Sequence, residues 1–279
     1  MNKLLVVNKE KNLTSRDVVN SLTKIFTFKK IGHTGTLDPI ATGVLVCLFG
    51  KYTKLGELLT SEDKEYIAEV KLGIKTNTGD ITGDILESRD FNITKKDILN
   101  VFHNFPKNYE QTVPKYSAVK INGKKLYEYA RSNIDIELPK RNVNIYSLEL
   151  ISFEKDIITF KTHVSKGTYI RSLIEDLCEK LEVLGTMNNL VRTRQGIFSI
   201  ENAYTLEEIK NGNFKFLDIH EFLDYPSINL PENLVKIVKN GGVINNIFNI
   251  KDKVIFTYNN EDIAIYEENN KTLKPYIMF

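Results

Sequence analysis

Apolar and polar positions alternate over Lys64–Leu72 and Ile157–Val164, which predicts two half-buried strands. Leu4–Val7 reads as another strand, and Val44–Phe49 as a fully apolar one. Helical spacing governs three other stretches. Val18, Val19, Leu22, Ile25 and Phe26 follow a Thr14/Ser15 cap. Ile98, Val101, Phe102 and Phe105 recur along Thr94–Phe105, which also opens with a cap. Over Tyr169–Leu184, Ile170, Leu173, Ile174, Leu177, Cys178, Leu181 and Leu184 form one stripe that Gly185 closes. The stretch VKINGKK predicts a hairpin with Asn122-Gly123 in a type I′ turn, and a short helix around Leu126–Ala130 comes after it.

These elements do not alternate strictly. An α+β fold around a mixed or antiparallel sheet flanked by helices is therefore expected. Two prolines bracket Asp224–Pro231, which reads as a linker. Beyond it, Asp252–Tyr258, Asp262–Glu267 and Thr272–Met278 read as short strands between Asn-rich turns. The expected division is a large domain over 1–229 and a small β-rich module over 230–279, consistent with a chain of 279 residues.

Composition narrows the classes. With 42% hydrophobic and 27% charged residues, the chain reads as a soluble globular protein. The apolar run at Leu4–Val7 is too short for a signal peptide, and no later run reaches spanning length. Cys47 and Cys178 are far apart with no CxxC pair, so neither a disulfide framework nor a zinc ribbon is indicated, and a reducing cytoplasm fits. The net charge of +2 is unevenly spread. Residues 1–60 hold nine Lys/Arg against four Asp/Glu, and residues 106–145 hold eight against four. Such patches suit a phosphate-tracking surface, although ordinary solvated surface is the commoner origin. FGKYT lacks the remaining residues of a phosphate-cradling loop, there is no GxGxxG, DITGD reads as a turn, and the four histidines form no HExxH. Metal and cofactor chemistry thus find little support, and side-chain chemistry remains.

The stretch GHTGTLDPIATG, residues 32–43, carries Asp38 as its lone acid. Pro39 biases Asp38 toward extended geometry and stiffens the residues after it, while the glycines let the backbone turn tightly or approach a ligand. A carboxylate so held could serve as nucleophile or base. Read alone, the pattern fits a structural turn better, because Asp-Pro and Gly are common turn residues.

The full pattern changes that weighting. GHTGTLDPIATGVL resembles the catalytic motif of the TruB family, the tRNA pseudouridine-55 synthases. The resemblance continues in order through NLTSRDVV, KEYIAEVKLGIKTNTGDITGD, PKYSAVKINGKKLYEYAR, VSKGTYIRSLIEDL and NLVRTRQG. It implies a pseudouridine synthase core followed by an RNA-binding PUA-like module. The implied reaction breaks the N-glycosidic bond of a uridine, rotates the uracil and rejoins it through carbon. It needs no cofactor, because the product is an isomer.

Residue by residue, Asp38 matches the family's nucleophile and Arg171 the arginine paired with it. Without the motif, Glu175 one turn on would be the better partner for Arg171, as a surface i,i+4 pair. Tyr66 matches the tyrosine that stacks on the target base and is a candidate for the closing proton abstraction, although its strand position alone suggests packing. Leu190 matches an apolar wall of the base pocket, and Tyr169 is a further wall candidate. His33 matches the histidine that packs into the RNA beside the flipped nucleotides. Lys120, Lys124, Lys125, Arg131, Lys140 and Arg141 would grip the backbone of the T stem-loop of tRNA, whose recognition would rest on shape and splayed bases. The family's first motif has Lys-Pro-x-Gly where this chain has Lys9-Glu10-Lys11-Asn12; Asn tolerates the left-handed geometry of that turn. Lys9 is expected among the RNA-binding residues. The expected protein is a monomer with no obligate protein partner and no membrane association. Two rival readings stand beside this one: a catalytically silent RNA-binding protein, and a glycoside hydrolase, which would need a second acid that the loop does not offer.

Overall fold

In the computed structural model, which describes residues 1–132 and 134–279, the two alternating strands lie side by side in a nine-stranded sheet. Its strands are β1 (Lys3–Lys9), β2 (Ile31–Thr34), β3 (Thr42–Phe49), β4 (Lys64–Leu72), β5 (Asn108–Thr112), β6 (Lys140–Glu154), β7 (Ile157–Val164), β8 (Gly185–Gln195) and β9 (Phe198–Ser199). The spatial order is β1-β3-β8-β4-β7-β6-β5, with β2 beside β3 and β9 beside β8. Only β3 and β8 pair in parallel, Val191 opposite Thr42 and Arg192 opposite Gly43. The sheet is thus mixed and mainly antiparallel, in an α+β arrangement.

Burial explains each pattern. Strands β4 and β7 alternate strictly because one face packs under helices α2 (Lys95–Asn104) and α4 (Ile170–Lys180) while the other stays half-exposed. Strand β3 is apolar throughout because both faces are covered. Val44, Val46 and Leu48 face the C-terminal sheet, whereas Leu45, Cys47 and Phe49 pack beneath helix α1 (Ser15–Phe26). Thr14 caps α1 in a capping box with Asp17, and Val18, Val19 and Leu22 are its buried stripe. Each such side chain contributes roughly 2 kcal/mol of burial. Thr94 caps α2 in the same way. The hairpin pairs Lys120–Ile121 with Lys124–Lys125 through Asn122 and Gly123, both at positive φ, and leads into helix α3 (Leu126–Arg131).

Three details depart from expectation. Helix α4 ends at Lys180, not Leu184: Glu182 takes a left-handed φ of 56°, and Gly185 opens β8 instead of closing the helix. A Cβ at Gly185 would lie 2.3 Å from Cys178 Sγ, so helix and strand can meet there only at glycine. The stretch that reads as a linker contains strand β10 (Ser227–Asn229), with prolines only at its ends, where Pro226 contributes its carbonyl to Ile255 N at 2.9 Å. Strands β2, β5, β6, β8 and β9 had no sequence reading as strands, and β2 takes Ile31–Thr34 from the start of the stretch that reads as a loop.

Strand β10 belongs to a second sheet with β11 (Ile244–Asn245), β12 (Lys253–Tyr258), β13 (Glu261–Asn269) and β14 (Thr272–Met278), ordered β10-β12-β13-β14-β11. One helix, α5 (Glu232–Lys239), joins its core beside Val254, Phe256 and Tyr266. This strand-rich unit has the character of a PUA-like module. It packs on the large sheet through Ile255 and Ile265 against Leu4, Val46 and Leu48, and Tyr52 donates to Asp262 Oδ2 at 2.8 Å. Among the described residues, no helix is long and apolar enough to cross a membrane.

Candidate active site

The Asp38 loop is pinned on both sides of its carboxylate. Ser15, at the start of α1, accepts from Leu37 N at 2.9 Å and donates back to Leu37 O. On the other side, Pro39 O accepts from Asn12 N at 2.8 Å and from Lys9 Nζ at 3.3 Å. Asn12 reaches that position at a φ of 68°, the left-handed turn that its side chain tolerates. Further on, Gly43 has a φ of 99°, and a Cβ there would lie 2.2 Å from Arg192 O. Only glycine permits that approach of β3 to β8.

Lys9 is 0% exposed, and its ammonium also donates to the carbonyls of Glu10 and Leu13. The expectation of an RNA contact at Lys9 is corrected accordingly: no atom of it reaches the surface, and it holds the loop from beneath. Burial lowers its pKa to about 8, partly offset by the Asp38 charge.

Asp38 faces α4. Arg171 Nε lies 3.0 Å from Asp38 Oδ2, and its Nη2 lies 3.4 Å from Oδ1. The guanidinium, 8% exposed, also donates to Thr78 O at 3.0 Å and Tyr116 O at 2.9 Å. These two carbonyls fix the fork that meets the carboxylate. Glu175 is not its partner; that side chain pairs with Lys75 at 3.1 Å. Asp38 keeps about a third of its side chain accessible, 35%, so it is both paired and reachable.

A cavity of about 470 Å³ opens over this pair. Asp38, Tyr66, Tyr169, Arg171, Leu190 and Arg141 all line it. Tyr66 lies on β4 opposite Arg192 of β8, and Leu190 opposite Ala68, so adjacent strands form one wall. Tyr169 precedes α4, and Gln111 clamps it: Tyr169 N donates to Gln111 Oε1 at 2.8 Å, and Gln111 Nε2 donates to Tyr169 O at 3.2 Å.

Among the wall residues that sequence reasoning missed are Lys64, Arg192 and Ser117. Lys64 and Arg192 each sit two positions from a recognised residue, Tyr66 and Leu190, on the same strand. The period of two would have put them on the same face. Lys64 donates to Thr60 O and Glu62 O, and burial together with the Arg192 charge lowers its pKa to about 8. Arg192, 1% exposed, donates to Val44 O at 2.7 Å and Gly35 O at 3.0 Å. The third, Ser117, lies in the stretch PKYSAVKINGKKLYEYAR that carries the family resemblance, but nothing in its own pattern singled it out.

The remaining candidates lie outside the cavity. His33 is half-buried on β2, and burial, with the Arg16 and Arg192 charges, holds its imidazole pKa below the usual range. Lys120, Lys124 and Arg131 are exposed, while Lys125 and Arg131 flank the Tyr127 ring. Lys140 pairs loosely with Glu110 at 3.8 Å.

The architecture, a mixed sheet followed by a small β module, has counterparts among solved structures. One described as a Cbf5-Nop10-Gar1 complex matches with a TM-score of 0.74 at 24% identity, over 99% of this chain and 84% of that one. Another, an H/ACA RNP bound to a substrate RNA containing 2'-deoxyuridine, matches with a TM-score of 0.71 at 22% identity and the same coverage. At such identities these matches establish a shared fold alone. The family model described as TruB family pseudouridylate synthase (N terminal domain) matches residues 23–170. The tRNA pseudouridine synthase B of Caldanaerobacter subterraneus subsp. tengcongensis is 42% identical over 264 residues, covering 94% of this chain and 93% of that protein. That of Bacillus cytotoxicus is 41% identical over 295 residues, covering 99% and 96%. The chain belongs to the TruB family of pseudouridylate synthases.

Proposed function

We propose that this chain converts a uridine of tRNA, uridine 55 in the T loop, to pseudouridine. The observation that carries the reading is the Asp38–Arg171 pair at 3.0 Å, open to a cavity large enough for a nucleoside. The names of its relatives supply the tRNA.

The uridine leaves its stack to enter the cavity, at a cost of about a few kcal/mol offset by contacts there. Asp38 is the nucleophile, and the Arg171 fork aims its carboxylate into the cavity. The N1–C1′ bond breaks, the uracil rotates, and a C5–C1′ bond forms; the bond that Asp38 makes to the nucleoside on the way breaks again, returning the free carboxylate. The C5 proton is then lost and N1 takes one up, so the product is an isomer and no co-reactant is consumed. Tyr66 lies in the wall with a phenol that can stack on the base and take part in the closing proton transfer. Leu190 and Tyr169 hold the base from the sides. His33 packs against the neighbouring nucleotides, and Lys120, Lys124, Lys125, Arg131 and Arg141 hold the backbone.

The division into a catalytic domain over 1–229 and an RNA-binding module over 230–279 is part of the same proposal. So is action as a monomer in the cytoplasm without an obligate protein partner; in its support, Asp38, Tyr66 and Arg171 all come from one chain.

The test uses tRNA transcript tritiated at uracil C5. Wild type should release the tritium, and Asp38→Asn should bind the same tRNA while releasing it at least about 10³-fold more slowly. Release by Asp38→Asn at the wild-type rate would overturn the mechanism.

A further inference from the structure

The buried cations around the cavity are already engaged. The Arg171 fork is shared among Asp38 and two carbonyls, Lys64 donates to two carbonyls, and Arg192 to two more. Ser117 differs from them. It is 6% exposed, it lines the cavity, and its Oγ is buried with no hydrogen-bond partner among the described residues. Its backbone is held: Ser117 O accepts from Tyr127 N at 3.1 Å, and the preceding carbonyl, Tyr116 O, accepts from Arg171 at 2.9 Å. The residue is therefore fixed to the same arginine that aims Asp38, while its hydroxyl is left unused. A buried hydroxyl without a partner is costly, and native proteins keep few of them.

We infer that Ser117 Oγ is the hydrogen-bond partner of the polar edge of the flipped uracil. A flipped base loses the hydrogen bonds of its former stack and loop, and its carbonyls and N3–H need replacements in the pocket. A hydroxyl suits this edge because it both donates and accepts, and its hydrogen turns freely. It can meet a carbonyl in one orientation of the base and the N3–H in another. That matters in a reaction whose middle step rotates the detached ring. Ser117 thus binds substrate, while Asp38 and Tyr66 perform the chemistry.

This inference rests on the cavity receiving the base, and its test separates the two. Ser117→Ala removes an unpaired buried hydroxyl, so its melting temperature should equal or exceed that of wild type. In tritium release from the C5-labelled tRNA transcript, its kcat/KM should fall about tenfold, the worth of one neutral hydrogen bond. Ser117→Thr, which keeps the hydroxyl, should recover most of that loss. An unchanged kcat/KM in Ser117→Ala would overturn the inference. A fall in melting temperature that parallels the loss of activity would also overturn it, in favour of a packing role. Failure of wild type itself to release tritium would instead remove the functional reading on which the inference stands.

Discussion

The Asp38 loop and the segment joining β5 to β6 both border the cavity, yet they are built in opposite ways. The loop is held by Ser15 on one side and by Lys9 and Asn12 on the other, and Leu37, Ile40 and Ala41 around Asp38 are buried. The segment presents Lys120, Lys124 and Arg131 to solvent. Its one ion pair among the described residues, Lys115 with Asp135 at 3.2 Å, is largely exposed and contributes little. Displacing a nucleophile by an ångström is expensive in rate, so the loop must be fixed. Attraction to a polyanion is long-ranged and tolerant of position, so the hairpin part of the segment, beyond Tyr116 and Ser117, need only carry charge.

The sharpest break of this comparison is at Arg171. Arg171→Lys keeps the charge but loses the fork that joins Asp38 to the carbonyls of Thr78 and Tyr116. We expect kcat to fall by about 10²-fold or more, with tRNA affinity close to wild type. Single-turnover tritium release at saturating tRNA measures the first, and filter binding the second. Activity near wild type would mean that any cation beside Asp38 suffices.

Stability offers a second contrast, between two glycines at positive φ. Gly43→Ala would drive a Cβ to 2.2 Å from Arg192 O, whereas nothing lies within 4 Å of the Cβ position at Gly123 in the hairpin. Urea unfolding should find Gly43→Ala destabilised by roughly 3 kcal/mol. Gly123→Ala should cost about 1 kcal/mol, the backbone strain alone. Equal losses would contradict the different packing of the two regions.

A smaller effect concerns pH. Burial, with Arg192 nearby, lowers the Lys64 pKa from 10.5 to about 8 in the folded protein. Between those values the unfolded chain binds the extra proton, so this lysine makes stability rise with pH across that window. Below about 8 both states are charged and the full penalty of burying the ammonium is felt. Relative to Lys64→Met, wild type should therefore gain stability from pH 8 to 10.5, measured by urea unfolding at each pH. A difference between the two proteins that stays flat over this range would place the titration elsewhere.

The same contrast explains what was legible in the sequence. Asp38 was legible through the resemblance of its short stretch to a family motif; read alone it fitted a turn, because the Ser15, Lys9 and Asn12 contacts that hold it come from elsewhere in the chain. Strands β4 and β7 were legible because one face of each is dry and the other wet. Strand β8 was hidden because it buries Thr186, Arg192 and Gln195, polar residues that mimic a loop until their partners are known. Those partners are remote: Arg192 reaches Gly35 across 157 residues, and Gln195 reaches Thr34 across 161. Ser117 was silent for the same reason, since only the closed cavity reveals that its hydroxyl is unused. The end of α4 was misread because the apolar stripe runs past Lys180 into a turn that still buries Leu181 and Val183.

The exposed segment predicts the mildest behaviour. Lys120 and Lys124 flank the hairpin turn, both exposed and without an ion pair among the described residues. If each meets one phosphate, each Ala substitution should reduce the slope of log affinity against log salt by about 0.7 to 0.9. Affinity at low salt should weaken modestly, the loss should fade as salt rises, and kcat at saturating tRNA should stay at the wild-type value. The decisive comparison is with Arg171→Lys, which should leave the salt slope alone while lowering kcat. If Lys124→Ala instead lowers kcat at saturation, the hairpin helps to aim the nucleotide, and the division between a fixed loop for chemistry and a charged surface for docking fails at that residue.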